Sequence, residues 1–448
     1  MFEADGAIYR GVAAHAVDDL RLLLASKTFA RMRARNAVVE TDFVDDAAFS
    51  TELPADRKLV RHGRVPFVSY PYEWPFELLK RAALLHLDIQ REALAEGMSL
   101  SDASAYNIQF IGVEPVFIDV LSFRKYRDGE VWAGQRQFQM QFLNPLVMQS
   151  LVGLTHHDAY RGSLEGIESA DLARVIPWRR KLSFNVLGHV VAPARMERRA
   201  AGDAARALND ASKVRLPKKH YAGLLNQLRD WLAGLEPRVA AVSTWQDYDK
   251  ANTYGAAERA AKNAFVRRYC GRVKPGLLVD IGCNTGEYSQ AALEAGAGRS
   301  IGLDLDHGAL ANACRRATEN RLALTPLVQD LMNPSPGQGW RGAERKAIGD
   351  RAAFDGVLAL AVLHHLAIAR NVPLDDAVAW LVEWAPSGII EFVPKSDPTV
   401  QTMLALRDDI FDDYDQQTFE ACLAKRARVV EREAVSSTER VLYAFERT

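Results

Sequence analysis

Three aspartates, Asp280, Asp304 and Asp330, each close a short apolar run: "LLVD", "SIGLD" and "LVQD". Carboxylates at strand ends can accept hydrogen bonds from hydroxyl and amino groups of one ligand. Between the first two lies "IGCNTGEYS", whose glycines, Gly282 and Gly286, are spaced G-x-x-x-G. A dinucleotide loop uses G-x-G-x-x-G, because backbone must approach a pyrophosphate at a helix N-terminus. Here Asn284 stands at the second glycine position, and no glycine fills the third. No Gly-Lys-Ser/Thr follows either, so a phosphate clamp is excluded. The loop, with Cys283 and Asn284 at its centre, suits a nucleoside ligand without phosphates.

The carboxylates then divide the work. Asp304, 24 residues after Asp280, can accept from both ribose hydroxyls. Asp330, followed by Leu331, can accept from the adenine amino group, and Asp280 sits near a ligand ammonium. S-adenosylmethionine is a ligand of this kind. Transfer of its methyl group to oxygen or a protonated nitrogen needs a proton acceptor beside the reacting atoms. "LALAVLHH" supplies His364 and His365, and a histidine near neutrality suits that role. Glu391, set in the apolar run of "GIIEFVPKSD", is the third catalytic candidate; buried there, it requires a partner or a pocket. Trp245, Tyr248 and Tyr254 precede the first strand and could cover the ligand or pack in the core.

The elements that must position these groups alternate. Apolar strands are expected near 276–281, 300–304, 325–329, 355–361 and 388–393, with helical patterns between them. That is an α/β, doubly wound parallel sheet, which binds ligands beyond the carboxyl ends of its strands. A helix over 256–270 should end at Gly271, ahead of Pro275. "ARVVEREAV" and "ERVLYAF", joined by "SST", read as a terminal hairpin on the sheet edge.

On "VDIGCNTGEYS", "IGLDLD", "VQDLMNP" and "FDGVLALAVLHHL", in this order, residues 240–448 resemble the class I S-adenosylmethionine-dependent methyltransferases. The resemblance implies a seven-stranded, Rossmann-like sheet with one antiparallel strand. It implies that Asp304 binds the ribose, Asp330 the adenine, and the 282–286 loop the methionine portion. The whole chain also resembles a bacterial group of fused methyltransferases, some of them nodulation-associated.

In the first half, a helix over 75–98 precedes "SDASAYNIQFIGVEPVFID". Asp102 and Asn107 stand in D-x-x-x-x-N spacing, and two short strands turned by "GVEP" lead to Asp119. The segment 60–160 is similar to the catalytic segment of protein-kinase-like phosphotransferases. That similarity implies an acceptor-orienting Asp102, with Asn107 and Asp119 on magnesium and ATP as a second ligand. Leu100 stands where that family carries His, and residues 1–70 hold no glycine-rich loop. The alternative is an α+β accessory domain whose aspartates cap helices and turns.

The expected domains are 1–170, α+β; 171–240, a basic helical connector; and 241–448, the methyltransferase domain. From 172 to 220 there are twelve Lys/Arg against three acids, a solvated face or a nucleic-acid surface. The apolar stripe Leu224, Leu225, Leu228, Trp231, Leu232 and Leu235 is expected to pack on the C-terminal domain. A formal net charge of −1 argues against a polyanionic partner. With no apolar run near the roughly 20 residues of a membrane span, no membrane partner is expected. Cys270, Cys283, Cys314 and Cys422 show no metal-ligand spacing and suit a cytoplasmic protein. The expected function is methyl transfer to a small molecule or peptide chosen by the N-terminal domain. A bifunctional enzyme with an ATP-dependent first half and an RNA-modifying enzyme are the alternatives.

Overall fold

The computed structural model describes residues 1–448 apart from residues 5, 45–56, 203–213, 239–254, 406 and 436–438. Trp245, Tyr248 and Tyr254 therefore lie outside the described residues. The chain forms two compact units, Met1–Ala240 and Ala241–Thr448. Among the described residues no helix is long and apolar enough to cross a membrane.

The first unit opens with a four-stranded antiparallel sheet in the order β1-β2-β4-β3, built from Phe2–Ala4, Ala7–Ala13, Thr41–Val44 and Arg57–His62 (β1 to β4). The helix Phe76–Ala95 is its core element, burying Leu78, Leu79, Ala82, Leu87, Ile89 and Ala93. Gly97 follows it at φ +78°, a left-handed turn that glycine adopts without strain, and β5 (Met98–Leu100) begins at once. β5 pairs with β8 (Phe123–Lys125). β6 (Ile108–Ile111) pairs antiparallel with β7 (Glu114–Phe117), forming the hairpin expected around "GVEP".

The stripe at 224–235 packs inside the first unit. Its helix, Lys218–Ala233, lies on Phe76–Ala95 within the first unit, burying Tyr221, Leu225, Leu228 and Leu232. Gln90 donates to the Tyr221 hydroxyl at 3.1 Å, and Arg229 forks onto Asp88 at 2.6 and 3.1 Å. Periodicity tells which face is buried; the polar partners on the facing helix decide against what. The stretch 171–240 accordingly belongs to the first unit, where Leu172, Val186, Val190 and Ala194 are buried.

The second unit is a seven-stranded sheet in the order β11-β10-β9-β12-β13-β15-β14. Its strands are Leu278–Ile281 (β9), Ser300–Asp304 (β10), Leu324–Val328 (β11), Gly356–Ala359 (β12), Ser387–Phe392 (β13), Ala427–Ala434 (β14) and Val441–Arg447 (β15). β9 to β13 pair in parallel, and β15 runs antiparallel between β13 and β14. The order reverses at β9, between β10 and β12, which puts the ligand crevice at the carboxyl ends of those strands. The helix Ala256–Val273 runs through Gly271 instead of ending there. It stops one residue before Pro275, where Lys274 takes a left-handed conformation and donates to the Cys270 carbonyl at 2.8 Å.

Candidate active site

The loop after β9 is shaped by close approach. Gly282 and Gly286 sit at φ +73° and +75°, and Asn284 joins them at +48°. A Cβ on Gly282 would meet Val362 at 2.6 Å, and one on Gly286 would meet Leu324 at 2.8 Å. Glycine at these two positions thus satisfies both the torsion and the space. The Asn284 carboxamide oxygen accepts from the Thr285 N–H at 2.7 Å, a short-range bond that supports the left-handed turn. Across the crevice Ala361, in the loop after β12, is also left-handed at φ +54°. Strained backbone of this kind concentrates where a ligand must be approached.

Asp304 ties the loops together. Its carboxylate accepts from the Asn284 N–H at 2.8 Å and the Asp306 N–H at 2.9 Å. Each oxygen keeps a second acceptor site for a hydroxyl. Burial raises its pKa against the pull of those amides. Asp330 accepts from the Met332 N–H at 2.9 Å through one oxygen, leaving the other for an amino group. Leu331 beside it is half-buried. Asp280 is placed differently from expectation. It is 2% exposed, accepts from the Ser289 hydroxyl at 2.6 Å, and is pushed up to about 7 by burial, with the Asp304 charge adding to the shift. It therefore braces β9 against the following helix. Cys283 likewise turns its side chain inward, onto Leu310 and Val328, and presents backbone to the crevice.

Two groups escaped the sequence reading. Gln329 is buried and clasps Ser335 twice, at 2.8 and 3.1 Å, fixing the loop that carries Asp330. Leu305, directly after Asp304, is 50% exposed at the rim, an apolar surface beside the polar contacts. An exposed leucine next to a half-buried aspartate was the available signal.

Beyond the carboxyl end of β12, the rings of His364 and His365 lie tilted against each other, centroids 4.2 Å apart. His364 is fully buried, and neither ring nitrogen has a protein partner. Burial holds its pKa well below the ordinary range, helped by His365, Arg440 and Lys262. Burial and Arg440 bring His365 down to about 4. Both are neutral near pH 7. A lowered base is competent above its pKa and lost as pH falls through it. Histidine NMR should show His365 titrating near 4 and His364 well below its ordinary range; a midpoint for either near the unperturbed value of about 6.5 would refute this environment.

Glu391 has its partner. On β13 it is fully buried, with its Oε1 2.6 Å from the Lys262 ammonium and 3.6 Å from Arg440. Arg440 in turn forks onto Asp397 at 2.6 and 2.8 Å, and Asp397 caps the helix Pro398–Leu404 through the Thr399 N–H.

The donor set fits S-adenosylmethionine. Gly282 and Gly286 leave no room for a Cβ in the loop, and Asp304 and Asp330 keep acceptor sites beside it. When bound, that molecule supplies a sulfonium-activated methyl group. The protein's share is alignment of donor and acceptor.

Strand order and site together define a class I S-adenosylmethionine-dependent methyltransferase. A family model described as a methyltransferase domain matches residues 279–379. The chain is 45% identical over 391 residues to the nodulation protein NoeA of Rhizobium meliloti strain 1021, spanning 87% of this chain and 82% of that one. It belongs to the family of that nodulation protein. Among solved structures, the N-methyltransferase NodS of Bradyrhizobium japonicum WM9 with S-adenosyl-l-homocysteine matches 46% of this chain and 99% of its own, at 16% identity and a TM-score of 0.34. The magnesium protoporphyrin IX methyltransferase of Synechocystis PCC 6803 matches 50% and 99%, at 18% and 0.33. At these scores the strand order, not the overlap, carries the fold.

Proposed function

We propose that this enzyme methylates a small molecule or a peptide, and that the N-terminal unit selects it. The observation that carries the reading is the charge at the strand ends: Asp304 closes β10 and Asp330 follows β11. Carboxylates there repel a phosphate backbone and tolerate a neutral or cationic acceptor. The test is transfer of labelled methyl groups from S-adenosylmethionine into a bacterial extract. Label is expected in the low-molecular-weight or peptide fraction; label in a ribonuclease-sensitive fraction would overturn the proposal.

A second reading rests on a different cluster. In the first unit the Asn107 amide donates to Asp102 at 3.0 Å, and Arg10 on β2 pairs with Asp119 at 2.6 Å. Burial, then the Asp119 charge, raises the Asp102 pKa. The gathering of these residues supports a magnesium-nucleotide site. Against it, Asp119 already holds an arginine, and no metal-binding group of three His, Cys, Asp or Glu occurs among the described residues. Calorimetry with ATP·Mg should show binding lost in Asp119→Ala; equal affinity in the variant, or none in the wild type, removes this reading.

A further inference from the structure

Among the described residues, the buried ions beside the histidines do not balance. Three carboxylates, Glu258, Glu391 and Asp397, share two cations, Lys262 and Arg440. The short pairs are Lys262 with Glu391 at 2.6 Å and Arg440 with Asp397 at 2.6 Å. Glu258 is left over: its Oε1 is 3.7 Å from Lys262 and 3.9 Å from Arg440, and makes no hydrogen bond. It is also the only member of the five with measurable access, its side chain 10% exposed against 0–1% for the others. An unmatched buried carboxylate is costly unless a cation completes the set. His364, whose pKa both Lys262 and Arg440 lower, has two unpartnered ring nitrogens.

We infer that the methyl acceptor is an amine, that Glu258 receives its ammonium form, and that the neutral His364–His365 pair takes the proton. The inference rests on the methyltransferase reading above and names its acceptor class. A bound ammonium cannot attack, because its lone pair is held by a proton. With that proton moved to an imidazole nitrogen, the amine nitrogen forms the new bond to the methyl carbon, and the electrons of the broken carbon–sulfur bond remain on sulfur. The charges balance: the sulfonium's positive charge passes to the methylated nitrogen, and the imidazolium loses its proton to solvent.

The same arrangement gives a reason for the buried network itself. Lys262 and Arg440 pair with Glu391 and Asp397, so that neither competes with Glu258 for the incoming cation. Their positive charge also holds the imidazoles in the proton-accepting form. An alcohol acceptor would offer Glu258 one neutral hydrogen bond and no charge, and a carboxylate acceptor would be repelled by it.

The test uses the full chain saturated with S-adenosyl-l-homocysteine and two matched probes, n-butylamine and n-butanol, followed by saturation-transfer NMR. The amine is expected to bind and the alcohol to bind at least about tenfold more weakly, since a buried charged pair is worth that much. Glu258→Gln should abolish this preference while leaving the homocysteine affinity as in the wild type, which also reports that the variant is folded. Equal binding of both probes, or an amine preference that survives in Glu258→Gln, overturns the inference alone. Failure of the wild type to bind S-adenosyl-l-homocysteine overturns the underlying reading and the inference with it.

Discussion

Arg440→Ala is expected to destabilise the C-terminal unit by about 3–5 kcal/mol, the cost of stranding buried charge. Arg440 is 1% exposed, and its guanidinium is the main counter-ion of Asp397 and the second of Glu391. Without it, three carboxylates face Lys262 alone. For a unit of this size that corresponds to a fall in melting temperature of roughly 10 °C or more. Scanning calorimetry reads it directly. The loss should shrink as pH is lowered, because carboxylates robbed of a cation have raised pKa values and are relieved by protonation. A control is available at the surface. Arg428 and Glu446 pair at 2.6 Å but are 70% and 49% exposed, and Arg428→Ala should cost under about 1 kcal/mol. A fall of under about 3 °C in Arg440→Ala would mean the carboxylates are already protonated or hydrated, and the network would lose its electrostatic account.

Asp304→Ala should lower affinity for S-adenosyl-l-homocysteine by a factor of about 100 or more. The carboxylate contributes in two ways. It organises the loops, through the Asn284 and Asp306 N–H groups, and it offers acceptors for the ribose hydroxyls. Hydrogen bonds to a charged acceptor are worth about 1.5–3 kcal/mol each, so two ribose contacts alone reach that factor. Isothermal calorimetry supplies the measurement. Asp280→Asn is the informative contrast. Asp280 is spent on Ser289, so its loss should leave affinity within about tenfold while removing a buried acid pushed up to about 7. Should Asp304→Ala bind as the wild type does, the ribose assignment fails and Asp304 is a loop brace only.

The sheet was legible in the chain almost strand for strand. Apolar runs bounded by glycine and proline have few ways to sit in a doubly wound sheet, and β9 to β13 fall within a residue or three of the expected limits. The terminal hairpin followed from its alternation. Site residues separated according to how local their role is. Gly282, Gly286 and Asn284 act through their own torsions, which the loop sequence dictates. Asp280 and Cys283 carried the right types at the right spacing, yet their side chains turn into the core. A strand alternates its faces, and which face meets the ligand depends on the helices that cover the other.

The sequence by itself determined the sheet, the phosphate-free loop and the three strand-end acids, because each depends on residues near one another in the chain. Tertiary structure alone decided where the 218–233 helix packs, that Lys262 and Arg440 meet Glu391, and that Glu258 is left unmatched. Lys262 and Arg440 come from opposite ends of the unit, and Coulomb attraction has no sequence signature until the fold brings its charges within a few ångströms.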